Sequence, residues 1–296
     1  MGGFVDKTGA FVIEPQFRDA RDFSEGFAAV GIEHNGWGYI DKTGQFIIAP
    51  RFSKAGDFSG GLAPVFGACK RATSCYIDRR GQVVVETPFD WAEGFAEGLA
   101  AVGSASRSPW EGGGKWGYID TKGKLVIHRR FDAAGTFSEG LAPVQLGDKY
   151  GYIDRAGTVV IKPQFDQAEP FAGGRAPVSI FKNIVSELGY IDKTGTMVIA
   201  PQFSGSGSFS EGMAPVGFYP DGRYGYIDKN GTVIIEPRFA YAGEFSEGLA
   251  PVWMSVSNTE WRGLIDLELG EYAYIDKTGK IVVQVRPPTV DEESSR

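Results

Sequence analysis

Residues 150–165 read YGYIDRAGTVVIKPQF, residues 37–52 read WGYIDKTGQFIIAPRF, and residues 224–239 read YGYIDKNGTVIIEPRF. The aromatic-glycine-aromatic-isoleucine-aspartate run alternates its side chains as a strand does, Asp-x-x-Gly turns the chain, and a β-branched run brings it back. Aspartate at the first turn position accepts backbone N–H groups. Glycine at the fourth takes the positive φ of a type I turn closed by a bulge. One hairpin is thus written over and over. Both of its faces are apolar, with Trp37 and Tyr39 on one and Ile40 on the other. A single copy cannot cover itself, whereas a stack of copies can.

Aligned on that aspartate, the copies fall at Asp6, Asp41, Asp78, Asp120, Asp154, Asp192, Asp228 and Asp276. The unit is roughly 36 residues long, a length at which internal repetition marks a repeat architecture. After the return arm and a connection such as DQAEPFAGG (166–174) comes a further strand, LAPV at 62–65, 141–144 and 249–252. Proline recurs in that strand (64, 143, 177, 215, 251) and at the end of the return arm (15, 50, 163, 201, 237). Proline cannot donate to a ladder, so these strands are expected at the sheet edges with the aromatic-glycine strand between them. A glycine inside a central strand needs something packed on it. The phenylalanines that recur once per unit (23, 58, 95, 137, 171, 209, 245) are the expected cover, reaching over from the adjacent unit.

The predicted fold class is therefore all-β: tandem repeats of ~36 residues with three or four strands each, β-propeller-like with seven or eight units. An open β-solenoid is the alternative. Eight hairpins against seven LAPV-type strands leave the ends unmatched, and a ring requires those ends to abut. The opening inside a hairpin points to a missing upstream strand. Residues 1–285 are expected to form one domain, and RPPTVDEESSR (286–296) a disordered tail.

Composition excludes several classes. The 296 residues carry a net charge of −7, with Lys and Arg scattered singly near turns, which argues against a nucleic-acid groove. The 42 glycines accompany 13% aromatics, the mark of a folded, turn-rich chain rather than a disordered one. No apolar run is long enough for a membrane span. The opening residues show no signal-peptide pattern, which favours the cytoplasm slightly. Cys69 and Cys75 share one loop, GACKRATSC, and either staple it or remain free thiols. With only His34 and His128 elsewhere they do not make a zinc site.

The recurring pieces KWGYID (115–120) and FSEGLAPV (137–144, 245–252), in fixed order, resemble the bacterial WG-repeat (also called KWG-repeat) family, named for the Trp-Gly at 37–38 and 116–117. The match runs over about residues 3–285. Ser74–Cys75, Leu188–Gly189 and Tyr272–Ala273 depart from the name-giving pair, so packing is expected to be weaker in those units. The resemblance implies an all-β, commonly non-enzymatic or accessory module with no shared catalytic residues, and it supplies no ligand.

Two acidic columns are the candidate chemistry. The turn aspartates have basic neighbours and no second acid nearby, so they read as turn caps rather than as a calcium ladder. The FSEG-type glutamates (25, 97, 139, 211, 247) either line a rim or channel, where they would attract cations or basic peptides, or belong to a solvated connection. No nucleophile has a base partner and no phosphate loop is present. The expectation is no enzyme activity, no catalytic residue, no metal and no cofactor.

Three insertions break the repeat: 104–115, 179–188 and 253–271, all following an LAPV-type strand and so expected on one face. They bring Trp110, Phe181, Trp253 and Trp261, aromatics outside the pattern, while Trp91 lies in a different connection. Such aromatics either form a recognition surface or plug the core. These four residues are the candidate binding surface of a non-enzymatic binding or scaffold module. The expected partner is a protein or peptide. The alternative is carbohydrate or cell-wall glycan stacked on exposed tryptophan.

Overall fold

The computed structural model describes residues 1–70, 73–104, 114–182, 185–254 and 271–285. Among these, every helix-or-strand element is a strand, and no helix is long and apolar enough to cross a membrane. β1 (Gly2–Val5) and β2 (Phe11–Phe17) form a two-stranded sheet. Next comes a four-stranded antiparallel sheet in the order β3 (Asp19–Ala20), β4 (Ala28–Ile32), β5 (Gly36–Ile40), β6 (Phe46–Phe52). Six more sheets repeat that order over 54–87, 91–131, 133–165, 167–203, 205–239 and 241–285. The first hairpin is blade 1, and the others are blades 2 to 8.

The proline-bearing second strand does not lie at a sheet edge, contrary to the sequence expectation. A two-residue first strand adds beyond it. In blade 5, Ala133 and Ala134 pair with Gln145 and Val144, past Pro143, and the Pro143 carbonyl accepts the Gly135 N–H at 2.8 Å. The first strand thus stops where proline has no N–H to offer, and no ladder bond is lost.

The glycine of the third strand is covered by backbone, not by a phenylalanine ring. A Cβ on Gly38 would lie 2.7 Å from the Ile48 carbonyl oxygen and 2.8 Å from the Pro50 nitrogen, both in the fourth strand of the same sheet. That strand crosses over the glycine through a bulge: Tyr39 pairs with Ile48, but Trp37 pairs with Phe52. The two exceptions confirm the cause. Where Cys75 or Ala273 replaces glycine, the fourth strand runs in register past that position, Glu86 opposite Cys75 and Gln284 opposite Ala273. Glycine and bulge go together in the other blades, as at Gly117, Gly151 and Gly225.

The phenylalanines pack elsewhere. Phe58 of blade 3 lies 4.8 Å, centroid to centroid, from Tyr39 of blade 2, and the pairing continues through Tyr76–Phe95, Tyr118–Phe137, Tyr152–Phe171, Tyr190–Phe209 and Tyr226–Phe245 at 4.6 to 5.0 Å. These tyrosines are fully buried. Each hydroxyl donates to a carbonyl of the next blade, as Tyr152 does to Glu169 at 2.9 Å, so the polar end of the ring is satisfied. Phe4 takes the tyrosine position in blade 1 and meets Phe23 at 4.7 Å.

A second contact runs blade to blade. The turn glycine of each hairpin faces the fourth strand of the blade before it: Gly44 on Ile13, Gly81 on Ile48, and so on to Gly279 on Ile235. Gly9 of blade 1 lies in the same way on Val283 of blade 8. The chain ends therefore abut and the series returns to its start. Among the described residues no strand pairing crosses the junction, since β1 and β2 pair only with each other.

Candidate binding site at the blade 8–blade 1 seam

The FSEG connection is a clasp between blades rather than a solvated link. Its phenylalanine stacks on the blade before, as above. Its serine hydroxyl donates forward, Ser24 to the Phe58 carbonyl and Ser138 to the Phe171 carbonyl, both at 2.6 Å. Its glutamate also reaches forward: Glu25 accepts the Gly60 N–H at 2.8 Å and meets Arg79 at 2.9 Å. Glu139 meets Lys193 at 3.0 Å and Glu211 meets Lys277 at 2.9 Å. Arg79 holds the Glu25 carboxyl below its ordinary value, as Lys277 does that of Glu211. The glutamates adopt left-handed backbone angles, φ 50 to 54°, a conformation L-residues seldom take. Copies with glycine there, Gly60 and Gly173, hold φ 61 and 59°. Four of the five glutamates thus pair with a turn cation, and Glu97 accepts the Gly140 N–H.

The turn aspartates behave as caps. Asp41 Oδ1 accepts the Thr43 N–H at 2.8 Å, the Thr43 hydroxyl at 2.6 Å and the Gln45 N–H at 3.1 Å. The Thr43 hydroxyl bond is the main cause of the lowered Asp41 pKa.

Blade 1 interrupts the pattern. It holds only the third and fourth strands of the unit, so the place of a first strand, an FSEG clasp and a second strand is unfilled among the described residues. A cavity of about 900 Å³ opens there. Val5, Asp6 and Lys7 line one wall, and blades 7 and 8 line the other with Tyr224, Tyr241, Phe245, Tyr272 and Tyr274. The aromatic rings form two short runs, Tyr224 to Tyr241 at 5.8 Å and Trp253 to Tyr272 to Tyr274 at 6.0 and 5.9 Å. Asp22, Glu244 and Glu247 bring carboxylates to the cavity, and Lys7 pairs with Glu247 at 2.6 Å. Tyr274 is the repeat tyrosine of blade 8. Unlike its fully buried equivalents it is only half-buried, and among the described residues its ring meets Tyr272 but no phenylalanine. Burial and the Asp22 carboxylate hold its hydroxyl above its ordinary pKa, so it remains a donor at neutral pH.

The structure separates the aromatics singled out from the sequence. Trp253 is half-buried and pairs in register with Tyr241 and Tyr272, which line the cavity, while Trp253 itself is not among the lining residues. Phe181, two blades away, is 59% exposed at the end of its strand. Trp110 and Trp261 lie outside the described residues. Trp91 is half-exposed on the first strand of blade 4. Tyr219, in the blade 7 loop, donates its hydroxyl to Ser186 of blade 6 at 3.1 Å and was not picked out by its pattern. Cys69 and Cys75 form a disulfide, with Cα atoms 6.0 Å apart.

Sequence reasoning also missed the cavity tyrosines, because each sits on a repeat position and reads as core. The available signal was the excess of one hairpin over the LAPV-type strands.

A family model described as a WG containing repeat matches residues 3–33, 37–66, 76–103, 116–150, 150–180, 189–217 and 224–252. No curated protein matches the chain. Among solved structures it is similar to the computationally designed Ika8 protein, with 13% identity, 89% of this chain and 85% of that chain covered, and a TM-score of 0.57. It is also similar to a eukaryotic initiation factor, at 13% identity, 96% and 82% coverage and a TM-score of 0.57. A third is the β-propeller domain of the Trilobed protease from Pyrococcus furiosus, described as having an open velcro topology, at 10% identity, 92% and 100% coverage and a TM-score of 0.55. At these identities the likeness is one of fold: a β-propeller.

Proposed function

The chain belongs to the WG-repeat family, and we propose that it is a non-enzymatic binding module that takes a protein or peptide at the seam between blades 8 and 1. The observation that carries this reading is the seam cavity itself, whose volume suits a ligand of several residues and whose walls carry tyrosines beside carboxylates. Tyrosine offers a broad apolar face and a hydroxyl donor at low ordering cost, a common composition of peptide-binding surfaces. Trp253 adds a ring against the cavity tyrosine Tyr272, and Phe181, in another of the insertions, is exposed on its strand. Trp110 and Trp261, which lie outside the described residues, join this candidate surface only by following LAPV-type segments in the sequence. The two recurring carboxylate columns that a catalytic reading could recruit are engaged, the aspartates in turns and the glutamates in clasps.

Selection of a displayed random-peptide library on the full chain tests the proposal. Enriched peptides should lose binding to Tyr241→Ala and Trp253→Ala variants that retain the wild-type melting profile. Enrichment that survives both substitutions, or none at all, contradicts it. A glycan array separates the carbohydrate alternative, which half-exposed Tyr241 and Trp91 would serve by stacking.

A further inference from the structure

We infer that the clasp between blades 6 and 7 is a carboxylate-binding site, which takes an acidic side chain of a protein or peptide partner on Lys229, Arg175 and the Gly212 N–H. The inference rests on the reading of the chain as a binding module and names the chemistry of one contact. It does not involve the seam cavity.

Four clasps in the same molecule show what this position holds. Glu25, Glu139, Glu211 and Glu247 each meet the turn cation of the next blade at 2.6 to 3.0 Å. Glu25, Glu139 and Glu211 also accept a glycine N–H of the next clasp, from Gly60, Gly174 and Gly248 at 2.8 to 3.2 Å. The blade 6 clasp reads FAGGR (171–175) where that of blade 5 reads FSEGL (137–141). Glycine for glutamate removes a negative charge, and Arg175 for leucine adds a positive one. The turn cation is nevertheless kept. A Cβ on Gly173 would lie 3.1 Å from Lys229 Nζ, so the ammonium stands where a glutamate side chain would begin. The N–H equivalent to Gly174 and Gly248 is that of Gly212, to which Gly173 offers no carboxylate. Blade 3 provides the contrast. Gly60 also replaces glutamate there, but the following turn, in blade 4, carries Thr121 in place of the cation. Blade 3 has lost both members of the pair, whereas blade 6 keeps the donors and lacks the acceptor.

The neighbouring acids are already engaged. Glu139 and Glu211 are held by Lys193 and Lys277, while Asp192 and Asp228 each accept two N–H groups of their own turns. Among the described residues neither Arg175 nor Lys229 makes an ion pair. Arg175 Nη1 donates to the Gly174 carbonyl at 3.1 Å, and its Nε is buried without a partner. Charged donors beside a backbone N–H suit a carboxylate, as the four filled clasps demonstrate. The clasps and the Asp-x-x-Gly turns share one end of each sheet. The strands that border residues 71–72, 105–113, 183–184, 255–270 and 286–296 do so at the opposite end. An acid from outside the chain therefore has the direct approach.

The test is the amide spectrum of the full chain at low salt, titrated with a hexaglutamate peptide. The Gly212 amide proton should move downfield and saturate, and hexaglutamine should leave it in place. Gly173 has φ 59°, close to the clasp glutamates, so Gly173→Glu supplies the carboxylate from within. That variant should move Gly212 without peptide and abolish the response to hexaglutamate, whereas Gly60→Glu should leave the response intact. Lys229→Ala, at an exposed position, should weaken binding about threefold or more. A Gly212 amide unmoved by hexaglutamate, or a response that survives Gly173→Glu, would overturn the site. Tighter binding of inorganic phosphate at the same amide would overturn the carboxylate assignment. Movement of Gly212 on substituting Asp291→Asn, Glu292→Gln and Glu293→Gln together would give the site to the chain's own end and overturn the partner. Library peptides that bind while hexaglutamate leaves Gly212 unmoved would overturn this inference alone and leave the binding-module reading standing.

Discussion

Lys7 Nζ lies 2.6 Å from Glu247 Oε2, joining the first hairpin of the chain to its last blade. The pair has the same place in the repeat as Arg79 with Glu25, Lys193 with Glu139 and Lys277 with Glu211, in which a turn cation of one blade meets the FSEG glutamate of the blade before it. Blade 1 therefore stands to blade 8 as every other blade stands to its predecessor. The packing of Gly9 on Val283 repeats that relation in apolar terms. In a ring of eight sheets each apolar face lies against a neighbour, and among the described residues the junction of blades 8 and 1 carries a cavity where that cover is incomplete.

The clasp glutamates should tolerate glycine better than alanine. Either substitution at Glu139 removes the carboxylate that meets Lys193 and the Gly174 N–H. Alanine keeps a Cβ at φ 54°, whereas glycine does not. Glu139→Gly should therefore be more stable than Glu139→Ala by about 1 kcal/mol. Denaturant unfolding of the two variants checks the order, and a less stable glycine variant would contradict the backbone argument.

Stability should fall in acid. Glu25, Glu211 and Glu247 are held below their ordinary values by their cations, and Asp41 and Asp276 by threonine hydroxyls. Carboxyls lowered in the folded state contribute stability that is fully present above their unfolded values and is lost as pH falls through the folded ones. The urea midpoint should be level from neutral pH to about 5 and should drop below about 4. High salt should weaken the glutamate share and leave the aspartate turns unaffected. A midpoint unchanged to about pH 2 would contradict both assignments.

The inter-blade ring pairs should dominate stability. Phe171→Ala removes the ring beside Tyr152 and leaves a cavity, at a cost of about 3–5 kcal/mol. Tyr152→Phe keeps the ring and loses only its bond to the Glu169 carbonyl, about 1–2 kcal/mol. Thermal unfolding should rank the two in that order.

The glycine–bulge rule separates two superficially similar positions. Gly38→Ala places a methyl against the Ile48 carbonyl and the Pro50 nitrogen and should cost about 1–3 kcal/mol. Ala273→Gly, where the facing strand runs in register, should cost only about 0.5–1 kcal/mol. Equal costs would mean the bulge does not depend on the glycine.

Much of this was legible in the residues. The period, the Asp-x-x-Gly turn and the two-faced sheets follow from Tyr39, Asp41 and Gly44 and their copies. What was not legible depends on geometry beyond one strand. Gly38 announces that something comes close, but not that its own return arm does so, because a bulge between Ile48 and Phe52 leaves no mark in alternation. Pro143 reads as an edge residue, since nothing in Ala133–Ala134 announces a strand only two residues long. Glu25 reads as solvated because its cation, Arg79, is far away in sequence. The cavity tyrosines are invisible for the opposite reason: Tyr274 matches the repeat pattern of a buried ring, yet it is half-buried at the cavity. Of the loop aromatics, Trp253 meets the cavity tyrosine Tyr272, a contact that its place outside the repeat pattern does not announce.

Ring closure is tested most directly by the distance between spin labels on Thr8→Cys and Ser246→Cys, both exposed, with the native cysteines kept in their disulfide. Adjacent blades place the two sites about one sheet spacing apart, ~10 Å plus the label arms, in a single narrow distribution. An open stack would instead separate them by roughly seven such spacings, about 70 Å, and that result would contradict the ring and the seam site with it.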